Sequence, residues 1–219
     1  MPGRLAFLHT SPVHVPTFQR LVEQADPSVT VQHTVAEDLL RDAQVVGAED
    51  SALVERVRRA VVQAAGAHAK VVVCTCSTIG AAAESVPPSC GLTVLRIDRA
   101  LGDQAVMSGA RLLVVAALRS TLGPTEALMC ECAQRAGRPV HIELLLVEDA
   151  WSFFLAGDRA AYLQSIAQSV RRAAGRADVV VLAQASMADA ADLLQDLQVP
   201  VLSSPALGVA RALAAVNES

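Results

Sequence analysis

The sequence predicts an α/β protein built from two similar halves, each with a parallel sheet covered by helices. Three observations predict this class: short apolar runs alternate with helical patterns, the runs are apolar at nearly every position, and the first half recurs in the second. Strands that are apolar at every position are buried on both faces, as in a parallel sheet enclosed by helices.

The strands are predicted from eight short apolar runs, each bounded by turn residues. The runs are LAFLH at 5–9, VTVQH at 29–33, KVVVC at 70–74, LTVLRI at 92–97, RLLVVAA at 111–117, VHIELLLV at 140–147, DVVVLA at 178–183 and VPVLSS at 199–204. Apolar residues three and four apart predict helices between them, among them 51–67, 122–136, 158–175 and 186–197. This alternation indicates βαβ units.

An internal repeat relates the two halves at an offset of about 108 residues. The matching segments are 4–8 with 111–115, 16–17 with 124–125, 70–78 with 178–186, and 93–95 with 200–202. We therefore expect one half at 1–98 and another at 99–219, with a C-terminal helix near 205–219 that can pack back on the first. Parallel strands bind ligands at their carboxyl ends, so we expect the active-site cleft between the halves.

Composition excludes several classes of protein. The 219 residues are 53% hydrophobic and 18% charged, with a net charge of −4 and no basic stripe, so no nucleic-acid partner is expected. The apolar stretch that ends at His9 is too short for a signal peptide or a membrane span, which predicts a cytoplasmic protein without membrane contact. Five cysteines indicate free thiols in a reducing compartment. An apolar helix face could support a homodimer or a higher homo-oligomer.

The residues that follow the predicted strands are rich in hydroxyl groups and almost free of charge. Hydroxyls and free backbone N–H groups at helix starts form anion pockets, so this set favours a small carboxylate ligand. The alternative is that these residues are ordinary helix caps. The residues are His9, Thr10 and Ser11; Cys74, Thr75, Cys76, Ser77 and Thr78; Ser120 and Thr121; Gln184, Ala185 and Ser186; and Ser203 and Ser204.

Cys76 is the candidate catalytic residue. It lies just past a buried strand at an expected helix start, where the helix dipole lowers a thiol pKa, and it could act as a nucleophile or in proton transfer. Cys74, inside the strand end, is interpreted as an inert apolar residue. His9 and His14 either hold or protonate a substrate or have a structural role, and the sequence leaves this open.

No metal or nucleotide site is expected. Cys130 and Cys132 lie in a helical pattern, where residues two apart point to nearly opposite faces and cannot share an ion. Motifs for zinc proteases, nucleotide-binding loops and serine hydrolases are missing from the sequence. The aromatic stretch from Trp151 to Tyr162 fits either core filling or a lid over the cleft.

The repeat, with Cys-Ser-Thr after the third strand and a matching loop in the second half, resembles the aspartate/glutamate/hydantoin racemase superfamily, which also contains maleate isomerases and arylmalonate decarboxylases. The resemblance implies two flavodoxin-like half-domains, no cofactor, and a cysteine from each half on either side of the substrate's α-carbon. It assigns the first cysteine to Cys76, with Ser77 and Thr78 as its anion-binding neighbours. It assigns carboxylate-binding loops to 9–11 and 120–121.

The second family cysteine falls on Gln184, followed by Ala185 and Ser186. A glutamine amide has no proton to exchange at neutral pH, although it can form hydrogen bonds that stabilise an enediolate or orient a water. We therefore expect a racemase-like isomerase that acts on a small carboxylate through Cys76. The alternatives are a single-cysteine decarboxylase, lyase or hydrolase of the same fold, and a non-catalytic carboxylate-binding protein.

Overall fold

The computed structural model describes residues 3–218, which form two compact α/β units. The first unit extends to Arg99 and also contains the chain from Pro205 onward, whereas the second consists of Ala100–Ser204. The chain thus leaves the first unit once, completes the second, and returns for its final helix.

The first unit contains a four-stranded parallel sheet with the strand order β2-β1-β3-β4. Its strands are β1 (Arg4–His9), β2 (Thr30–Val35), β3 (Val71–Cys74) and β4 (Thr93–Arg96). Its helices are α1 (Val15–Ala25), α2 (Glu37–Val46), α3 (Ser51–Ala65) and α4 (Gly80–Glu84), with short 3₁₀-helices at Pro12–His14 and Pro88–Cys90.

The second unit repeats this plan, with a parallel sheet in the order β6-β5-β7-β8. Its strands are β5 (Arg111–Ala116), β6 (His141–Leu146), β7 (Val179–Leu182) and β8 (Val201–Ser203). Helix α5 (Arg99–Ser108) precedes β5, and α6 (Arg119–Ala136), α7 (Glu148–Leu155) and α8 (Arg159–Ala173) follow in order; α9 (Ser204–Asn217) lies almost entirely in the first unit.

The pairing register confirms the internal repeat. In the first unit Val72 pairs with Val94, and in the second Val180 pairs with Val201, which are the residues that the sequence repeat matches. All eight predicted strands are present, and the predicted α/β class with two parallel sheets is confirmed. The same register makes Cys76 and Gln184 equivalent, because each lies two residues beyond its central strand.

Burial distinguishes central strands from edge strands. All residues of β3 and β7 are buried, as are all but the first residue of β1 and of β5. The edge strands β2, β4, β6 and β8 are instead partly exposed, since each has a sheet neighbour on one side only. Burial on both faces is therefore confirmed for the central strands and does not extend to the edges.

The helix predicted at 186–197 differs from the prediction. Residues Ala185–Leu194 form a 3₁₀-helix that buries Met187, Ala190 and Leu194. Apolar residues three apart share a face in both helix types, so the spacing alone could not distinguish them.

The aromatic stretch of the second unit fills its core. Trp151, Phe153 and Phe154 pack against the buried cluster that contains Tyr162. The rings of Trp151 and Phe154 are stacked with centroids 4.6 Å apart, and those of Phe154 and Tyr162 are 5.5 Å apart. These contacts favour the core interpretation of this stretch.

Among residues 3–218, the helices are all too short or too polar to cross a bilayer.

Helix α9 packs so closely on the first unit that Gly208 leaves no room for a side chain. A Cβ atom at this position would clash with the side chain and the carbonyl oxygen of Ile97. We expect Gly208→Ala to lower the free energy of unfolding by about 1–3 kcal/mol, as overpacking does, since a backbone oxygen cannot rotate away. Urea unfolding measures the change.

Gly175→Ala is the matched control. Gly175 is an exposed residue of the 3₁₀-helix Ala174–Arg176, and a Cβ there would meet no atom within 4 Å beyond its chain neighbours, so the same substitution should stabilise the protein by about 0.5–1 kcal/mol. Equal stabilities of the two variants would contradict the close packing of α9.

Candidate functional site

The candidate site of the first unit lies at the carboxyl ends of two adjacent central strands. β1 ends at His9 and β3 ends at Cys74. The N–H of Thr75 donates to the carbonyl of Leu8 at 3.0 Å, which continues the pairing one residue beyond β3. Cys76 is therefore the first residue free of the sheet, beside the connection that begins at Thr10.

Four donors converge on the sulfur of half-buried Cys76. The hydroxyls of Thr10 and Thr78 and the backbone N–H groups of Thr78 and Ile79 are placed to donate hydrogen bonds to it and so to lower the pKa of the thiol. Each of these bonds favours the thiolate and lowers the thiol pKa. The arrangement is a cradle for negative charge on sulfur, built from neutral groups.

The net pKa shift is nevertheless upward. Burial raises the pKa of the Cys76 thiol, and this effect exceeds that of the four donors. The expected helix-dipole lowering was wrong because Cys76 is not at a helix start: the turn 77–79 intervenes, and α4 has only five residues. At neutral pH Cys76 is therefore a protonated thiol whose deprotonated form has donors already in place.

The other cysteines have different environments. Cys74 is fully buried, burial raises its pKa strongly, and its thiol lies 3.7 Å from the carbonyl oxygen of Cys76, as fits an inert residue. Cys90 and Cys130 are exposed, and Cys132 is buried. Among residues 3–218, His, Cys, Asp and Glu side chains form no group of three suited to a metal ion.

A chain of hydrogen bonds runs from the site through two imidazoles. The His9 ring lies 2.8 Å from the hydroxyl of Thr75 and 2.8 Å from the ring of His33, whose other nitrogen lies 3.0 Å from Gln19 Oε1. Because the Gln19 amide donates its N–H to Glu23, its oxygen must accept from His33 Nε2–H. His33 Nδ1 then accepts from His9. With both rings neutral, His9 Nδ1 accepts the single hydroxyl proton of Thr75 at 2.8 Å in preference to the Leu8 carbonyl oxygen, which lies 3.3 Å from the same hydroxyl.

These hydrogen bonds place His9 behind the site. His9 is fully buried, both of its ring nitrogens have protein partners, and burial lowers its pKa to about 3. Burial also lowers the pKa of His14, to about 4. Ser11 is half-buried and its hydroxyl makes no capping bond, so within the predicted loop 9–11 its hydroxyl is more accessible than the buried Thr10 and His9.

A buried ion pair supports the Cys76 loop from beneath. Arg96 and Asp98 are both buried, and the guanidinium donates to the two carboxylate oxygens at 2.7 and 3.0 Å. Arg96 Nη2 also donates to the carbonyl of Ser77 at 3.3 Å. Neither this pair nor His33 was predicted from the sequence; the signal for the pair was an arginine at the end of an otherwise apolar strand run.

In the second unit, Gln184 is tied to the backbone of the neighbouring connection. Its side-chain oxygen accepts from the N–H of Ala117 at 2.7 Å and of Leu118 at 3.2 Å. These N–H groups directly follow β5, where Thr10 follows β1 in the first unit. The residue two places beyond the second central strand is thus held by the same connection in both units.

The remaining predicted residues of the second unit are arranged around this contact. Ser186 Oγ lies 2.7 Å from the hydroxyl of Tyr162, so it is turned toward the core, and Ala185 is half-buried. Ser120 and Thr121 lie in the first turn of α6 rather than in a loop. The hydroxyl oxygen of Ser120 is buried without a hydrogen-bond partner among residues 3–218.

A family model and several solved structures relate this chain to racemases. A family model for Asp/Glu/Hydantoin racemase matches residues 3–212. An aspartate racemase from Picrophilus torridus has 11% identity, 98% of this chain and 95% of that chain covered, and a TM-score of 0.72. A glutamate racemase from Francisella tularensis, in complex with D-glutamate, has 12% identity, 100% and 82% coverage, and a TM-score of 0.71.

A mutant of arylmalonate decarboxylase in its liganded form has 17% identity, 99% of this chain and 93% of that chain covered, and a TM-score of 0.58. At these identities the three structures show similarity of fold alone. No curated protein matches the sequence.

Gln184→Met tests whether the amide oxygen holds the connection after β5. Methionine has a similar length but cannot accept from two N–H groups, so we expect the free energy of unfolding to fall by about 1–3 kcal/mol. Gln184→Glu keeps an acceptor oxygen at the same place and should stay closer to the parent stability in urea unfolding. A methionine variant as stable as the parent would contradict this role.

The buried imidazole of His9 makes stability depend on pH. The unfolded chain takes up a proton near pH 6.5, whereas folded His9 does so only at about 3, so stability is lost as the pH falls through this range. His9 alone should cost about 2 kcal/mol between pH 7 and pH 5.

Urea unfolding at these two pH values measures the loss. His9→Gln should weaken the pH dependence, while the exposed control His68→Gln should leave it unchanged. The same pH dependence in both variants would count against a neutral buried His9.

Proposed function

Because the chain belongs to the Asp/Glu/hydantoin racemase family, we propose that it is an isomerase that moves a proton at the carbon next to a small carboxylate, without a cofactor. Cys76 is the proposed acid–base residue. The single observation that carries the proposal is the set of four donors around its sulfur. A group that must change charge during a reaction is served best by donors that are already oriented toward it.

The proposed proton transfer follows from the state of the thiol. Burial keeps Cys76 protonated, so its S–H proton is available to a carbanion formed next to a carboxylate. The new C–H bond takes that proton, the S–H electron pair stays on sulfur, and Thr10, Thr78 and Ile79 stabilise the thiolate. In racemisation the carbanion forms when a water on the opposite face, oriented by Gln184, accepts the α-proton, and the C–H electron pair stays on carbon. In the reverse direction the Cys76 thiolate removes the proton that it gave, and the carbanion takes a proton from the hydronium on the opposite face, so both groups are restored.

The substrate class is inferred from two sources. The similar structures include an aspartate racemase and a glutamate racemase that holds D-glutamate, and both names refer to small dicarboxylic amino acids. The strand ends of this chain also carry hydroxyl and amide groups, which suit a carboxylate. We therefore propose a small α-substituted acid as substrate, with Ser11, Ser77 and Thr78 among the groups near its carboxylate.

Gln184 favours a second candidate reaction. Its amide exchanges no proton at neutral pH, so Cys76 is the one thiol at the two equivalent positions of the repeat. Decarboxylation of a malonate-type acid needs only one: loss of carbon dioxide leaves the electron pair on carbon, and Cys76 S–H protonates it. The protonated state of the Cys76 thiol suits this reaction particularly well.

Exchange of the α-proton with deuterated water, followed by NMR, tests the proposal. Aspartate, glutamate, an α-hydroxy acid and an arylmalonate are offered to the parent protein, to Cys76→Ser and to Cys90→Ser. We expect exchange or decarboxylation with at least one acid, a loss of about 100-fold or more in Cys76→Ser, and no change in Cys90→Ser, where an exposed thiol is replaced.

The outcomes separate the candidate reactions. Deuterium incorporation together with loss of optical activity identifies racemisation, whereas release of carbon dioxide with deuterium in one enantiomer identifies decarboxylation. Full activity in Cys76→Ser would overturn the assignment of Cys76. Binding without turnover for every acid would favour a carboxylate-binding protein.

A further inference from the structure

The amide of Gln184 is oriented by its own unit. Two backbone N–H groups, of Ala117 and Leu118, point at one end of this side chain. Only an oxygen can accept from two N–H donors, so the oxygen must face the backbone and the –NH₂ group must occupy the other end. The direction of the amide follows from this chemistry.

Gln184 can therefore offer a ligand only hydrogen-bond donors, from its Nε2 group. An amide oxygen has two lone pairs, and here both are used by backbone N–H groups. The Nε2 group has no hydrogen-bond partner in the part of the chain from 3 to 218, and the residue is half-buried rather than enclosed. A ligand that contacts this side chain therefore meets an N–H donor with a fixed orientation.

A hydroxyl without a partner lies in the first turn of α6, directly after this connection. The hydroxyl oxygen of Ser120 is buried and unpartnered, and Ser120 is two residues from Leu118, whose N–H holds Gln184. A buried polar group without a partner costs free energy, and a ligand that accepts a hydrogen bond would remove this cost. The Ser120 hydroxyl can donate or accept, whereas the Gln184 Nε2 group can only donate, so it is Gln184 that requires an acceptor and cannot bind a cation.

We propose that Gln184 is a specificity-determining residue that binds an acceptor oxygen of the substrate through Nε2–H and disfavours an ammonium group there. The inference rests on the proposed function, and it narrows the substrate to acids with a second acceptor group, such as another carboxylate or a carbonyl. A thiol at this position would exchange a proton with the substrate, whereas Gln184 holds it by a fixed hydrogen bond.

Succinate and β-alanine are a matched pair of probes, because an ammonium group in one replaces a carboxylate in the other. Isothermal titration calorimetry measures their affinities for the parent protein, for Gln184→Glu and for Gln195→Glu. The first variant keeps an oxygen for Ala117 and Leu118 but presents an acceptor to the ligand. The second adds the same charge at an exposed position of the same unit.

We expect the parent protein and Gln195→Glu to prefer succinate, and Gln184→Glu to shift the ratio of affinities toward β-alanine by about tenfold or more. An unchanged ratio in Gln184→Glu, or a parent protein that binds neither probe at millimolar concentration, would overturn the inference. Equal thermal stability of the parent and Gln184→Glu establishes that the fold is kept.

The binding readout is independent of turnover. If Cys76→Ser retained full exchange activity while the Gln184→Glu shift was observed, the role of Cys76 would fail and that of Gln184 would stand. If exchange depended on Cys76 but the ratio of affinities did not respond to Gln184→Glu, the role of Gln184 would fail and that of Cys76 would stand.

Discussion

In each unit, one contact fixes the side chain that follows the second central strand. The connection after the first central strand holds the residue two places beyond the second: Thr10 donates to Cys76, and the N–H groups of Ala117 and Leu118 donate to Gln184. Both contacts depend on the register that pairs β1 with β3 and β5 with β7. A slip of one residue would move each side chain to the opposite face of its sheet.

The groups near Cys76 are either neutral or paired with an opposite charge. The imidazoles of His9 and His33 satisfy each other in a neutral chain, and the charges of Arg96 and Asp98 are paired with one another beneath the Ser77 carbonyl. With no unpaired cation among these groups, the stabilisation of a thiolate falls to the four hydrogen bonds at sulfur. Such bonds gain strength as water is excluded, so a bound substrate would increase their effect.

The fold could be predicted from sequence because its signals are local and repeated. Apolar runs indicate the positions of the strands, and the match of 70–78 with 178–186 is enough to identify Cys76 and Gln184 as equivalents. The resemblance to the racemase family, carried by the same residues, is confirmed by the family model. Core residues of parallel strands show a pattern that is readily recognised in a sequence.

The features of the site that could not be predicted from the sequence depend on contacts between residues far apart in the chain. His33 lies on an edge strand and Gln19 on a helix, and only the fold brings them to His9. In the sequence Arg96 is simply the end of an apolar run, whereas in the fold it forms a bidentate contact with Asp98. The sign of the Cys76 pKa shift also required the fold, because it is the balance between burial and four donors from separate parts of the chain.

The two units share the same strand order, but the equivalent positions Cys76 and Gln184 have different chemistry. In the first, backbone and hydroxyl donors are directed at a thiol, which can gain and lose a proton. In the second, backbone N–H groups of the connection after β5 donate to the Gln184 amide oxygen, and the hydroxyl of Ser186, equivalent to Thr78, bonds to Tyr162 instead. A symmetrical two-thiol reaction needs equal acid–base groups in both halves, and the equivalent positions of this chain carry a thiol, Cys76, and an amide, Gln184, that has no proton to exchange at neutral pH.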